Sequence, residues 1–378
     1  MQDVVRYGRV LGQTISGQSK GGNFVDSVLR KLGWNSFFGE NFREYAMGFE
    51  PGRISRVNKN DCRVHLKSGE VKARVSGRQR HDGLYPAVGD WVALSEDISG
   101  TYTIHAILPR KSKISRKDAG KATGEHIIVT NIDVAFIMTS LNRDLNMRRL
   151  ERYLSVVRQN RVDPVILLNK SDICANVEAR IKDVKAIAHD VPIYAISATE
   201  GIGMQPLSLY LQEGKTVVLL GSSGVGKSTL INALEGNERQ KISEIREDDC
   251  RGRHTTTARE LILLEKGGVI IDNPGMREMQ LWEAGVGLQN TFPDIEELAA
   301  QCKFSDCRHE TEPGCMIKKA ILDGELSEVR FESYNKLQRE ALAVERKKNP
   351  ELMIAEKKKW KKLGHMAEKI RDIKEHGR

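Results

Sequence analysis

The stretch Gly221-Ser222-Ser223-Gly224-Val225-Gly226-Lys227-Ser228, with Thr229 after it, decides the reading of this chain. It follows the apolar run Thr216-Val217-Val218-Leu219-Leu220 and leads into Leu230-Ile231-Asn232-Ala233-Leu234. A buried strand, a glycine-rich turn and a helix in that order are what a phosphate-binding loop needs, because the N–H groups of the turn must converge on an anion at a helix N-terminus. Gly221, Gly224 and Gly226 permit torsions and close approaches that a Cβ blocks. The backbone of Ser222, Ser223 and Val225 completes the turn, Lys227 reaches the β- and γ-phosphates, and the Ser228 hydroxyl suits Mg²⁺. A glycine-rich connector with a chance Lys-Ser would lack these flanks. A nucleoside triphosphate is the expected ligand.

Upstream of this loop, strand-like and helical stretches alternate: Val134–Ser140, Met147–Asn160, Val165–Asn169, Glu178–His189 and Ile193–Ser197. That rhythm builds a mostly parallel sheet covered on both faces. Asn169-Lys170-Ser171-Asp172 closes the second strand. The aspartate can accept from the ring N–H and exocyclic amine of guanine, the asparagine can bond another edge, and Ser197-Ala198 can offer a backbone N–H to the guanine carbonyl. Downstream, Arg253-His254-Thr255-Thr256-Thr257 reads as a loop in which one threonine, taken as Thr256, joins the Mg²⁺ shell. The strand Gly268–Ile271 then runs into Asp272-Asn273-Pro274-Gly275, where the carboxylate can hold Mg²⁺ and the Gly275 N–H can meet the γ-phosphate. These elements all fall at strand ends, where open parallel sheets bind ligands. Their order is permuted, since the guanine selector precedes the phosphate loop.

The flanks carry further signals. Residues 1–48 hold an aromatic cluster, Phe37, Phe38, Phe42 and Tyr45, expected to pack onto the next domain. Five short alternating segments between Gly52 and Leu108 point to a small barrel of oligonucleotide-binding (OB) type. Its basic residues, Arg74, Arg78, Arg80 and Arg110 through Lys117 among them, suit either solvated faces or RNA. Near the C-terminus, Cys302, Cys307, His309 and Cys315 follow the spacing C-x4-C-x-H-x5-C, the donor set of a closed structural Zn²⁺ site. Cys62, Cys174 and Cys250 lack such company. A helix is expected over Ser327–Lys347. From Arg330 to Arg378 there are 15 Lys and Arg against 8 Asp and Glu, a charge excess suited to a phosphate backbone or to a solvated face.

Composition sets outer limits. The 378 residues carry a formal charge of +9 and 39% hydrophobic content, which describes a globular multidomain chain and makes a polyanionic partner plausible. No apolar run approaches the ~20 residues of a membrane span. Met1–Arg6 lacks an apolar signal core, so a cytoplasmic location without membrane association is expected. A monomer is expected as well. Six cysteines in such a chain argue against a disulfide framework.

Taken together, these residues resemble the circularly permuted bacterial GTPases called ribosome small-subunit-dependent GTPase A. The resemblance spans about Gly52–Lys347 and rests on Gly89-Asp90-Trp91-Val92, Asn169–Asp172, Gly221–Thr229, Arg253–Thr257, Asp272–Gly275 and the Cys302/Cys307/His309/Cys315 set. It implies a multidomain α/β chain: an extension over 1–48, an OB-fold RNA-binding barrel over 49–118, a circularly permuted P-loop GTPase domain over 119–290, and a zinc-binding helical domain with a basic tail over 291–378. It also implies GTP hydrolysis to GDP stimulated by the small ribosomal subunit, contact with its rRNA, and a part in late subunit maturation. Many GTPases place a glutamine after Asp-x-x-Gly to orient the attacking water. Met276 stands there, and His254, where the family carries a histidine, is the candidate for that duty. Two other readings fit parts of the pattern: a GTP-gated RNA-binding scaffold with incidental hydrolysis, and an ATPase that happens to carry Asn-Lys-x-Asp.

Overall fold

Alternating apolar positions make the first β-structure curl on itself. In a computed structural model, which describes residues 27–77, 85–117, 125–142, 144–236, 259–265, 267–273 and 286–348, five strands close a barrel. They are β1 (Glu50–Val57), β2 (Cys62–Leu66), β3 (Gly69–Val75), β4 (Trp91–Glu96) and β5 (Tyr102–Ile107), in spatial order β1-β2-β3-β5-β4. β1 pairs antiparallel with β2 and β4, and β3 runs parallel to β5, an OB-like arrangement. Ile54, Val64, Leu66, Val92, Leu94 and Ile104 fill it.

Helices α1 (Ser27–Lys31) and α2 (Ser36–Phe42) precede the barrel. Asn35 caps α2 by accepting from the Phe37 N–H at 3.1 Å. The aromatic cluster lands on the barrel as expected, with Trp34 edge-on to Trp91 at 4.8 Å and Phe38 at 5.7 Å from it. Two of the basic residues grouped above as RNA candidates have local partners. Arg110 grips the buried Asp90 through two bonds of 2.7 and 2.6 Å, and the Lys111 ammonium lies 5.2 Å from the rings of Phe37 and Phe38.

An antiparallel hairpin of β6 (Lys113–Lys117) and β7 (Glu125–Thr130) leads to the main sheet. That sheet holds β8 (Val134–Ser140), β9 (Asp163–Asn169), β10 (Ile193–Ala195), β11 (Thr216–Leu220), β12 (Glu260–Leu263) and β13 (Val269–Asp272), ordered β10-β9-β8-β11-β13-β12. All neighbours are parallel except the edge strand β12. Every residue of β8 and β11 is buried, which is why both read as unbroken apolar runs. Helices α3 (Met147–Gln159), α4 (Val177–Ala188) and α5 (Lys227–Glu235) connect the strands. Asn146 and Asn176 cap α3 and α4, each accepting a backbone N–H at 3.0 Å. The permutation is visible directly, because β11, which carries the phosphate loop, lies centrally but follows β8 to β10 in the chain.

The C-terminal part comprises α6 (Val286–Thr291), α7 (Pro293–Ala300), α8 (Met316–Leu322) and α9 (Glu328–Lys348). Arg330 of α9 binds Asp294 through two bonds of 2.7 Å, Glu151 of α3 at 2.8 Å and the Thr291 carbonyl at 3.2 Å, and it covers the Phe292 ring at 4.8 Å. Arg148 and Arg152 of α3 add ion pairs to Glu332 and Glu340 at 2.7 and 2.6 Å. Among the described residues, no helix is long and apolar enough to cross a membrane.

The barrel meets the sheet at Arg53 of β1, a side chain only 1% exposed. Its guanidinium donates to the carbonyls of Leu32, Gly89 (3.3 Å) and Asn131 (3.0 Å) and to the Thr216 hydroxyl (2.9 Å). Burial draws its pKa down to about 10 against the opposing pull of Asp133 and Asp90. Arg53→Met keeps much of the volume but orphans these acceptors, and it is expected to cost about 3 kcal/mol of unfolding free energy in urea titrations.

Candidate nucleotide site and metal cluster

The phosphate loop is built where β11 ends against its parallel neighbours. Gly226 precedes α5 with φ +95°, and a Cβ there would lie 2.3 Å from the Asn169 amide nitrogen, so only glycine fits. Lys227 is 8% exposed and donates to the carbonyls of Gly221 (3.0 Å) and Ser222 (2.8 Å). Burial lowers its pKa to about 8, with Asp272 and Asp144 opposing. Its ammonium thus sits inside the curl of the loop, where an anion would find both it and the N-terminus of α5. Ser228 and Thr229 follow on the first turn of α5.

Asn169, 2% exposed at the end of β9, braces this loop. Its amide nitrogen donates to the Val225 carbonyl at 2.8 Å, and its oxygen accepts the Ala198 N–H at 3.0 Å. One side chain thereby joins the base motif, the phosphate loop and the segment after β10. The Ser197 N–H donates to Ile202 at 3.0 Å, so a base reaching Ser197 or Ala198 has to share or displace these bonds. Lys170 adopts φ 63°, which turns the chain sharply after β9 and leaves Asp172 exposed on the following 3₁₀ turn, Ser171–Ile173. Asp272, 1% exposed, ends β13 beside Leu219 of β11. The sheet therefore brings Asn169, Lys170, Asp172, Ser197, Ala198, Gly221–Thr229 and Asp272 to one edge. His254, Thr256, Gly275 and Met276 lie outside the described residues.

One participant was not read from the sequence. Asp144, in the loop between β8 and α3, accepts from the Ser222 hydroxyl at 2.8 Å. Its signal is faint, since a single acid in Asn142–Asn146 looks like ordinary turn chemistry.

The cysteine set converges as its spacing suggested. Cys302 follows α7, Cys315 caps the start of α8, and Cys307 and His309 lie on the loop between. Their ligand atoms all fall within 4.8 Å of one another, with His309 Nδ1 3.6 Å from Cys302 Sγ and 3.4 Å from Cys315 Sγ. Three sulfurs and one imidazole at that spacing are compatible with zinc. Glu312 organises the loop by accepting the N–H groups of Arg308, Glu310 and Thr311 at 2.9 to 3.0 Å. Bonds from its own N–H and that of Arg308 pull its carboxyl down to about 2. Cys62 packs in the barrel and Cys174 against the main core, as ordinary apolar residues do.

Asn169→Ala removes both arms of the brace while leaving Asp172 and Lys227 in place. GTP and GDP affinities measured by calorimetry are expected to fall together by roughly 10-fold or more, since each lost buried bond is worth about a kcal/mol or more.

Comparison with known proteins agrees with this site. The RsgA GTPase family matches residues 107–282, and a family described as 50S ribosome-binding GTPase matches residues 216–358, starting at β11. A small ribosomal subunit biogenesis GTPase RsgA from Opitutus terrae is 42% identical over 89% of this chain and 96% of its own length. Another, from Methanosarcina acetivorans, is 42% identical over 94% and 96%. Among solved structures, YjeQ from Thermotoga maritima aligns over 78% of this chain and 99% of its own, with TM-score 0.56 and 27% identity. YloQ, described as a circularly permuted GTPase, aligns over 78% and 96% with TM-score 0.54 and 24% identity, a likeness of fold. These matches disfavour the scaffold and ATPase readings. With the phosphate loop, the guanine motif and the permuted sheet in one place, the chain belongs to the RsgA family of GTPases and is a GTP hydrolase.

Proposed function

We propose that this GTPase binds the small ribosomal subunit, hydrolyses GTP to GDP and phosphate when stimulated by it, and assists its late maturation. The observation that carries this is near full-length similarity to relatives named for small-subunit biogenesis, joined to a nucleotide site whose base and phosphate elements are braced by one residue, Asn169. Gly221–Thr229 hold the phosphates, Lys170 and Asp172 face the guanine, and Ser228 and Thr256 would be the protein ligands for Mg²⁺, with the Asp272 carboxylate holding it directly or through water. Mg²⁺ supplies charge neutralisation of the β- and γ-phosphates. His254 orients the attacking water, since Met276 offers no hydrogen-bonding group. The barrel and the basic C-terminal tail contact rRNA, and the protein acts as a cytoplasmic monomer. Cys302, Cys307, His309 and Cys315 hold one structural Zn²⁺, whose four protein donors leave no open position for catalysis.

The decisive measurement is GTP turnover by the protein alone, with small subunits and with large subunits. Small subunits are expected to raise the rate by 10-fold or more, at roughly the scale of supplying a missing catalytic group. Equal stimulation by large subunits would sink the assignment and favour the other ribosomal partner that one family match describes. His254→Ala is expected to lose roughly 10²-fold of the stimulated rate while GTP affinity stays unchanged.

For the metal, protein purified without chelator is expected to carry close to one zinc per chain. Stripping it should lower the melting temperature of the C-terminal part. A zinc content near zero would refute the site.

A further inference from the structure

The loop after β8 joins two parts of the molecule that the nucleotide chemistry leaves separate. Asp144 is held there on several sides. Its N–H donates to the Asn142 side-chain oxygen at 3.0 Å, and its carbonyl accepts from Arg149. Its carboxylate is divided: Oδ1 pairs with the Arg149 guanidinium at 2.8 Å, and Oδ2 accepts the Ser222 hydroxyl at 2.8 Å. A bare carboxylate beside a triphosphate site would repel the ligand. Paired with Arg149, Asp144 brings geometry without net charge.

Ser222 is thus pinned twice, by Asp144 at its hydroxyl and by Lys227 at its carbonyl. Phosphates that draw the Lys227 ammonium toward themselves remove the second tie and leave Asp144 as the side-chain anchor of that residue. The other end of the anchor is Arg149, on the first turn of α3. Its helix neighbours Arg148, Glu151 and Arg152 are the residues that grip Glu332, Arg330 and Glu340 of α9. Four consecutive-turn positions of one helix therefore hold the phosphate loop on one side and the C-terminal helix on the other.

We propose that Asp144 is a positioning residue of the phosphate loop, which, locked by Arg149, fixes Ser222 for nucleotide and passes the state of the loop through α3 to α9. It acts through Ser222 and touches neither phosphate nor water. The coupling requires no ribosome, so it is tested on the isolated protein, apart from the subunit-dependent role proposed above.

The experiment is a double-mutant cycle on Asp144→Ala and Ser222→Ala, reading GTP and GDP dissociation constants and single-turnover hydrolysis. Each single variant is expected to weaken nucleotide binding by roughly 10-fold, and the double variant no more than the worse single, because both remove one bond. In Asp144→Ala, where the altered side chain touches no phosphate, the single-turnover rate at saturating GTP is expected to stay near that of the unaltered protein, which a general loss of structure would not allow. Multiplying single effects, or unchanged affinity in both singles, would overturn the positioning role. If Asp144→Ala fails to fold, Ser222→Ala and Asp144→Asn, which retains an acceptor for Ser222, carry the comparison. For the second half, amide hydrogen exchange of α9 is expected to differ between GDP and a non-hydrolysable GTP analogue in the unaltered protein, and this difference should shrink in Ser222→Ala. Identical α9 exchange in both nucleotide states would remove the relay.

Discussion

The architecture depends on one buried guanidinium. Arg53 sits in the first barrel strand, yet its bonds reach back to Leu32 after α1, across to Gly89 before β4, and on to Asn131 after β7 and Thr216 at the start of β11. Four acceptors at different heights around one planar group suit the fork of arginine, and lysine, with one tetrahedral ammonium, could not span them. Desolvating that charge is costly, and the hydrogen bonds, together with the facing Trp91 ring at 5.7 Å, offset it. Because β11 carries the phosphate loop at its other end, the barrel is fastened to the base of the very strand that presents the nucleotide site. A barrel so held has little freedom to swing independently of the sheet.

The C-terminal part is joined by a different physics. Arg330 is also buried, but it meets two carboxylates, Asp294 and Glu151, and its flanking contacts are ion pairs between α3 and α9. Exposed pairs such as Arg148–Glu332 contribute little to stability and exchange partners readily, whereas the buried arm is sensitive to geometry. A joint made this way can register small shifts of α3 in a manner that the bonds from Arg53 to its fixed, uncharged acceptors cannot. The two arginines therefore divide the molecule into a fixed side and an adjustable one.

Much of the nucleotide site is legible in the sequence because its determinants are local: a strand, a glycine turn and a helix start lie within some twenty residues, and each torsion has a residue type that demands it. The zinc-type cluster is legible for the same reason. What escapes is long-range. Arg53 reads as an ordinary strand arginine, since its partners lie up to 163 positions away. Asn169 suggests a base-reading side chain, and only the fold shows that both of its polar atoms are committed to bracing loops. Arg110 looks like part of a basic patch until Asp90 is found beside it. The β6–β7 hairpin and edge strand β12 pass unnoticed because short mixed segments carry no clear period.

Permutation gives these joints their meaning. In this order the strand ending in Asp272 is followed in the chain by α6, the first helix of the C-terminal part. α6 then presses on α3 so closely that a Cβ at Gly287 would lie 2.3 Å from the Ser155 carbonyl. The Arg158 guanidinium of α3 adds a bond to the Asn290 carbonyl. α3 is thus held at two places, by Asp144 at its N-terminal turn and by α6 toward its C-terminal end. A helix tied at its N-terminal turn to the phosphate loop through Asp144, pressed by α6 further along and joined to α9 by ion pairs, can carry a shift of that loop toward the C-terminal part by moving as a rigid rod. Had the chain kept the common order, the Asp272 segment would run on into the sheet, and this second contact with the C-terminal part would not exist.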